Sequence, residues 1–226
     1  KKCGKKIICC FGKIVFDSAV FYDGGPAHSG FKDWLNHTIE IAAQSPEILI
    51  LIKPHPHELK VEIAMKIGQY LRDIIPAQLP ENVIFLDHDS FNTHEIARIV
   101  DLAVLWNGTS SMELTSLGVP VMMCGHFGVF DYHLDLIYPN DRQDYKAKLL
   151  DIEEVVINEQ LKYRAMAYVS YMGHHETSIP NEYARRQLLN DPVGIPIWRE
   201  EKLHNLINVD DSHMEYALNK IVYKDS

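Results

Sequence analysis

Five short apolar runs recur along the first half of the chain, and polar or turn-forming residues bound each of them. The runs are Ile7–Phe11, Ile48–Ile52, Val83–Leu86, Leu102–Trp106 and Val119–Met123. Continuous apolar runs of this length are typical of strands that are buried on both faces, as in parallel sheets. We therefore expect five strands of one parallel sheet.

Segments with helical periodicity lie between these runs. Their apolar side chains recur every three or four residues, which places them on one face of an α-helix. The segments are Phe31–Ala43, Glu58–Ile75, His94–Val100 and Ser111–Leu117. This alternation predicts an α/β fold with a Rossmann-like, doubly wound parallel sheet over residues 1–125.

The pattern changes after this core. Residues 125–143 are rich in His, Tyr, Asp and Gly and indicate a loop. Further helices are predicted at 144–151, 159–172, 181–190 and 212–223. We therefore expect residues 126–226 to form a loop and C-terminal helices that pack on the same domain as residues 1–125.

Composition narrows the class of protein. Of 226 residues, 46% are hydrophobic and 23% charged, as in an ordinary globular protein. The net charge of -9 argues against a general nucleic-acid binder. No apolar run reaches the ~18–20 residues of a membrane-spanning helix. The four cysteines form no CxxC pair, so neither a disulfide framework nor a zinc site is indicated, and a reduced, cytoplasmic setting fits best.

Polar clusters follow four of the five predicted strands. They are Lys53–Glu58, Asp87–Ser90, Asn107–Glu113 and Cys124–Gly128. The carboxyl ends of parallel strands meet at one edge of the sheet, and ligands of open α/β sheets bind there. The sequence therefore predicts a binding site at this edge.

His55 is the leading candidate in the first cluster. Pro54 and Pro56 bracket it, and each proline fixes its own φ and favours an extended preceding residue. This stiff strand exit holds the imidazole in one direction, where it can donate a hydrogen bond to an anion such as phosphate. The alternative is a loop histidine bonded to a backbone carbonyl. Lys53 is predicted to be either a solvated charge or a charge at the rim of the site.

The turn before the fourth helix carries three hydroxyl side chains, from Thr109, Ser110 and Ser111. A helix start offers free N–H groups and a partial positive charge, so this turn can hold one or two phosphates without a bound cation. Ser110 and Glu113 also have the spacing of a capping box, which would use the same N–H groups. The two interpretations stay open, and Glu113 can instead bond a ribose hydroxyl.

Two loops supply candidates for acid or base catalysis. The glycine-rich stretch Asp23–Gly30 follows the first strand but matches neither a dinucleotide-binding nor a Walker motif, and it suits a substrate-facing loop. His126 and Asp131 lie in the loop after the fifth strand, where a lid role and a plain surface position are equally open. The catalytic candidates are Asp23, His28 and Asp131, and the spacing singles out none of them.

Several motifs together resemble bacterial capsule polysaccharide biosynthesis proteins. They lie at 16–19, 31–39, 51–58, 101–104 and 109–121. The resemblance covers about residues 7–125. Such proteins are similar to GT-B glycosyltransferases, in which two Rossmann-like domains enclose a cleft, and this chain resembles the C-terminal, donor-binding domain.

The resemblance carries implications for individual residues. It implies that His55, Ser110 and Ser111 hold the phosphate of a nucleotide-activated sugar, often a CMP-sugar such as CMP-Kdo, and that Glu113 lies near the ribose. The pattern from Ser110 to Pro120 is also shared with teichoic-acid-type glycerophosphotransferases and nucleotide-sugar epimerases. The motifs therefore specify the fold more closely than they specify the donor.

The activity implied is a metal-independent glycosyl transfer from a nucleotide-sugar donor to a bacterial capsule or surface polysaccharide, with no cofactor. The implied partners are the donor, a glycan acceptor and an N-terminal acceptor domain outside this sequence. The expected location is the cytoplasm, with peripheral association at the inner face of the membrane left open. The alternatives are a CDP-polyol phosphotransferase of the teichoic-acid type and a non-catalytic nucleotide-binding module.

Overall fold

The computed structural model describes residues 4–17, 20, 23–60, 68–125, 134, 136–151, 157–173, 184–186, 196–200 and 204. The chain divides into two compact units, Lys1–Val169 and Ser170–Ser226. The division that the sequence predicts at residue 125 stays a prediction.

A parallel sheet forms the centre of the first unit. Its described strands are β1 (Lys6–Phe11), β2 (Ile48–Lys53), β3 (Val83–Phe85), β4 (Leu102–Leu105) and β5 (Val121–Met123). They are hydrogen bonded in the order β3-β2-β1-β4-β5, and every neighbouring pair is parallel. The predicted Rossmann-like α/β fold is confirmed, and each strand lies within two residues of its predicted bounds.

Helices flank the sheet or follow it. The described ones are α1 (Phe31–Ala43), α2 (Thr93–Ala97), α3 (Ser110–Ser116), α4 (Arg142–Leu150) and α5 (Glu159–Gly173). The last two confirm the helices predicted at 144–151 and 159–172. A short 3-10 helix covers Leu71–Ile74.

The helix predicted over Glu58–Ile75 is wrong in its described parts. Residues 56–59 form turns, and only Leu71–Ile74 is helical, as a 3-10 helix. The carboxylate of Glu58 accepts the backbone N–H of Leu71 at 2.7 Å. This bond draws together two residues that a continuous helix would hold more than three turns apart.

The alternation of side chains on β1 explains why the strand is apolar from Ile7 to Phe11. Ile8 and Cys10 belong to the core layer on the α1 side, together with Trp34. Cys9 and Phe11 belong to the opposite layer, which contains side chains of α2 and α3. A central parallel strand is covered on both faces and therefore has no polar positions.

A buried hydrogen-bond network joins α4 to α1. The hydroxyl of Tyr145 accepts a bond from Trp34 Nε1 at 3.0 Å and lies 2.6 Å from Thr38 Oγ1. Thr38 donates its own proton to the Trp34 carbonyl at 2.8 Å, so Tyr145 is the donor to Thr38. The Tyr145 hydroxyl is therefore both an acceptor and a donor.

The second unit contains a short antiparallel pair, β6 (Ala184–Arg186) and β7 (Pro196–Trp198). The helix predicted at 181–190 is therefore wrong at 184–186. The backbone of Ala184–Arg186 pairs instead with Pro196–Trp198, further along the chain. The periodicity of a single segment does not reveal a partner strand elsewhere in the sequence. The helix predicted at 212–223 lies outside the described residues.

Candidate functional site

A cleft of about 400 Å³ opens at the carboxyl end of the sheet. Segments that follow four strands line it: 11–13 after β1, 53–56 after β2, 88–93 after β3 and 105–110 after β4. β1 and β4 are neighbours, and from them the strand order runs in opposite directions to the two edges of the sheet. The cleft thus lies at the topological switch point, where open α/β sheets bind ligands.

His55 lines this cleft and is half-buried. Its Nδ1 atom accepts the backbone N–H of His57 at 3.1 Å. Neutral imidazole carries one N–H, so the proton then lies on Nε2. Burial lowers the pKa of His55 to about 4, and the nearby His57 and Lys13 act in the same direction. Near neutral pH, His55 is therefore an uncharged hydrogen-bond donor through Nε2.

The structure separates the hydroxyls of the predicted phosphate cradle. Thr109 and Ser110 line the cleft. Ser111 is fully buried, and its hydroxyl donates to the carbonyl of Gly108 at 2.8 Å. Gly108 has a φ of 129°, a left-handed backbone that favours glycine, and this conformation lets the chain turn sharply from β4 into α3.

The capping box, one of the two open interpretations of Ser110 and Glu113, does not form in the structure. The N-cap of α3 is Thr109, whose side chain makes no capping hydrogen bond. The carboxylate of Glu113 instead lies 3.2 Å from Nε2 of His94, at a partly exposed position outside the cleft lining. The capping interpretation therefore no longer competes for the N–H groups of this turn.

The prediction that Lys53 is a solvated charge is wrong. Only 6% of its surface is exposed, and it lines the cleft. It continues the face of β2 that carries Leu51, above a layer of apolar side chains. Burial lowers the pKa of Lys53, while Cys9 and Asp89 act in the opposite direction.

The structure contains a histidine–glutamate pair at the edge of the cleft that no motif in the sequence indicates. His88 lines the cleft, and its Nε2 lies 2.7 Å from Oε2 of Glu58, which is fully buried. The other carboxylate oxygen of Glu58 accepts the N–H of Leu71. Glu58 thus fixes the orientation of the His88 ring. His88 lies in a cluster that the sequence placed at this edge, but nothing in the spacing pointed to Glu58 as its partner.

The two catalytic candidates that the structure describes, Asp23 and His28, lie outside the cleft lining. Asp23 is nearly buried, accepts a bond from Asn107 Nδ2 at 3.2 Å and lines a second, more open cavity of about 520 Å³ beside the start of α1. Asn107 lines the main cleft, so this bond connects the two cavities. Asp131 and His126 lie outside the described residues.

His28 occupies the interior and not a surface loop. It is 2% exposed, its Nε2 lies 2.9 Å from Nδ1 of His37, and its ring meets Tyr145 edge-on. Burial lowers the pKa of His28 to about 4, and His37 adds to the effect. The imidazole is therefore uncharged near neutral pH. Its role as an acid or base stays a prediction.

Asp87 and Asp89 have Asp-x-Asp spacing, and Asp89 lines the cleft. Among the described residues, no group of three His, Cys, Asp or Glu side chains is arranged to hold a metal ion. Metal independence stays a prediction. In the same part of the chain, no helix has the length and apolar character needed to cross a bilayer.

No family model and no curated protein matches the sequence. Among solved structures, the chain is similar to KpsC of Thermosulfurimonas dismutans, a beta Kdo 2,7 transferase, at a TM-score of 0.40 and 16% identity over 92% of this chain and 55% of that one. It is similar to the spinosyn rhamnosyltransferase SpnG at a TM-score of 0.43 and 18% identity, over 74% and 41% of the two chains. Similarity to the wall teichoic acid polymerase TagF has a TM-score of 0.39 and 15% identity, over 74% and 39%.

The chain spans between 39% and 55% of the length of these three structures.

Proposed function

We propose that the cleft binds the phosphate of a nucleotide-activated sugar, and that the chain is the donor-binding part of a metal-independent glycosyltransferase of the GT-B type. The proposed donor is a CMP-sugar such as CMP-Kdo, and the proposed acceptor is a bacterial capsule or surface polysaccharide. The observation that carries the proposal is His55, a fixed Nε2–H donor in the cleft at the switch point of the sheet.

The size and the lining of the cleft support a nucleotide-sized ligand. Its volume of about 400 Å³ falls in the range of small-molecule sites. Lys13 and Lys53 supply positive charge, and Thr109 and Ser110 supply hydroxyl donors. The lysine ammonium of Lys13 lies above the β4–α3 turn, 3.8 Å from the position that a Cβ on Gly108 would take. The donors thus converge from separate segments.

This arrangement suits glycosyl transfer for an electrostatic reason. When the glycosidic bond of the donor breaks, its electron pair goes to the phosphate oxygen, and the leaving nucleotide gains negative charge. Hydrogen-bond donors and cations that are already in place stabilise that charge without reorganising. In the proposed mechanism, His55 and Lys13 take this role, and the acid or base for the acceptor comes from Asp23, His28, Asp131 or a further domain.

The second candidate is phosphotransfer from a CDP-polyol, in which the acceptor attacks phosphorus and CMP leaves. The presence of two lysines in the cleft favours it, because a diphosphate carries more negative charge than a single phosphate. The two reactions release the same nucleotide but differ in their products. Glycosyl transfer makes a glycosidic bond, and phosphotransfer makes a phosphodiester.

The test is a calorimetric titration of the chain with CMP, CDP, UDP and GDP. We expect selective binding of a cytidine nucleotide and a loss of at least about tenfold in affinity for His55→Ala, which removes a hydrogen bond to a charged group. His57→Ala is the matched control, because it lies in the same loop and keeps the backbone N–H that orients His55.

The outcomes separate the candidates. A folded His55→Ala variant that binds as tightly as the wild type contradicts the role of His55. A preference for CDP, followed by a phosphodiester product, favours phosphotransfer. Selective nucleotide binding without turnover, when an acceptor domain and acceptor are supplied, indicates a non-catalytic nucleotide-binding module.

A further inference from the structure

The most unusual charge in the cleft is the ammonium of Lys53. The backbone of this residue is fixed: it is the last residue of β2, it pairs in register with Phe11 of β1, and its carbonyl accepts the N–H of Gly12 at 2.7 Å. Because side chains alternate along a strand, Lys53 must project on the same side as Leu51. The fold therefore places this side chain at the floor of the cleft.

The charge of Lys53 is not balanced by the residues around it. Within the described ranges, its ammonium makes no hydrogen bond, and no carboxylate lies within 4.0 Å of it. Asp89 is near enough to affect the pKa of Lys53 but does not form an ion pair with it. Lys53 is largely buried but lines the open cleft, so its ammonium is available to an anion that enters there.

The position of Lys53 relative to His55 suggests which anion. The two residues are separated by one proline, and both line the same cleft. In the proposed function, His55 donates to the phosphate of the donor. A ligand with two adjacent anionic groups can satisfy both residues, one group for each.

We propose that Lys53 binds a second anionic group of the donor, one that lies directly beside the phosphate held by His55. Two sources have this chemistry: the second phosphate of a nucleoside diphosphate, and the carboxylate of a sugar acid joined to CMP. This inference rests on the proposed function and sharpens it, because it predicts that a donor with a neutral sugar on a single phosphate binds poorly.

The experiment compares ligands with one and two anionic groups. The chain is titrated with CMP, with CDP, with a CMP-linked sugar acid, and with inorganic phosphate and pyrophosphate. Lys53→Met removes the charge with little change of shape, and Lys53→Arg keeps the charge. Lys60→Met, at an exposed position of the same segment, is the matched control.

We expect the wild type to bind a two-anion ligand more tightly than CMP. Lys53→Met should weaken that ligand by about 10- to 100-fold and CMP by less than about 3-fold, because one charged hydrogen bond is lost. Lys53→Arg should restore part of the affinity, and Lys60→Met should change neither value. A loss confined to CDP identifies the diphosphate, and a loss confined to the CMP-linked sugar acid identifies the carboxylate.

Other results overturn the assignment. If Lys53→Met weakens CMP and the two-anion ligands by the same factor, or weakens neither, Lys53 does not bind a second group. A wild type that binds no cytidine nucleotide contradicts the proposed function, yet pyrophosphate binding that is lost only in Lys53→Met still supports the role of Lys53. If the wild type binds neither nucleotides nor pyrophosphate, both proposals are wrong. Folding is controlled by the unfolding midpoint, which should stay the same or rise when the unpaired charge is removed.

Discussion

The hydroxyl of Tyr145 offers a sharp test of how α4 is held on α1. Tyr145→Phe removes one oxygen atom and preserves the ring. In the wild type, this oxygen accepts the N–H of Trp34 at 3.0 Å and donates to Thr38 at 2.6 Å. Trp34 and Tyr145 are both fully buried, so water does not replace the missing oxygen.

The size of the effect depends on which buried group loses its hydrogen-bond partner. Thr38 keeps its bond to the Trp34 carbonyl at 2.8 Å, whereas Trp34 Nε1 loses its acceptor. A buried donor without a partner costs ~1–3 kcal/mol. For a chain of this size, 1 kcal/mol corresponds to roughly 2–4 °C in Tm. We therefore expect Tyr145→Phe to lower the free energy of unfolding by ~1–3 kcal/mol, which is equivalent to several degrees in Tm.

The assay is urea unfolding, followed by far-ultraviolet circular dichroism. Tryptophan fluorescence is not used, because the variant removes a hydrogen bond of Trp34 and so changes its fluorescence directly. Tyr163→Phe is the matched control, since Tyr163 is 65% exposed and its variant should stay within about 0.5 kcal/mol of the wild type. Thr38→Val completes a double-mutant cycle with Tyr145→Phe. Because the two hydroxyls bond each other, the double variant should lose less than the sum of the single variants.

The reasoning is refuted if Tyr145→Phe and Tyr163→Phe have the same free energy of unfolding. It is also refuted if the effects of Tyr145→Phe and Thr38→Val simply add, because additive effects would mean that the two hydroxyls do not interact.

Two further predictions concern stability. The pKa of His28 is lowered to about 4 in the folded protein, so between pH 6.5 and 4 only the unfolded chain binds this proton. The free energy of unfolding should therefore decrease as the pH is lowered from 6.5 to 4, by up to about 3 kcal/mol. His28→Gln should flatten the slope of this free energy against pH. An unchanged slope would count against the pKa shift. Gly125→Ala places a Cβ against the Asp23 carboxylate and 2.7 Å from the Trp106 carbonyl, so it should cost ~1–3 kcal/mol in urea unfolding. Gly30→Ala, where no heavy atom lies within 4 Å, is its control, and equal effects of the two would contradict the clash.

Much of the sheet could be predicted because its physical signal is local. The helix at Phe31–Ala43 was predicted with its exact bounds, since its apolar face recurs at helical spacing and packs on the sheet. The run at 48–52 identified β2 because both faces of that strand are covered. The position of His55 in the cleft could also be predicted, because it follows β2 directly and the carboxyl ends of parallel strands all lie at the same edge of the sheet.

The features that could not be predicted depend on distant segments. Lys53 lines a cleft that it shares with segments 88–93 and 107–110, and no pattern within its own strand shows that. The same holds for Glu58, whose partner His88 lies thirty positions away. A charged side chain in a sequence is expected at the surface by default, and only the assembled edge of the sheet reveals the exceptions.

The buried cysteines in and beside the sheet allow the frequency of its opening to be measured by thiol modification. Cys9, Cys10 and Cys124 are free thiols at the centre of the core, and burial raises the pKa of each. Alkylating reagents attack the thiolate, so these sulfurs react only in molecules whose central strands have separated. The rate at which they are modified in native buffer therefore reports how often the sheet opens. Cys9 and Lys53 are near enough to influence each other's pKa, so we expect a cleft ligand that stabilises the closed sheet to lower the rate of modification.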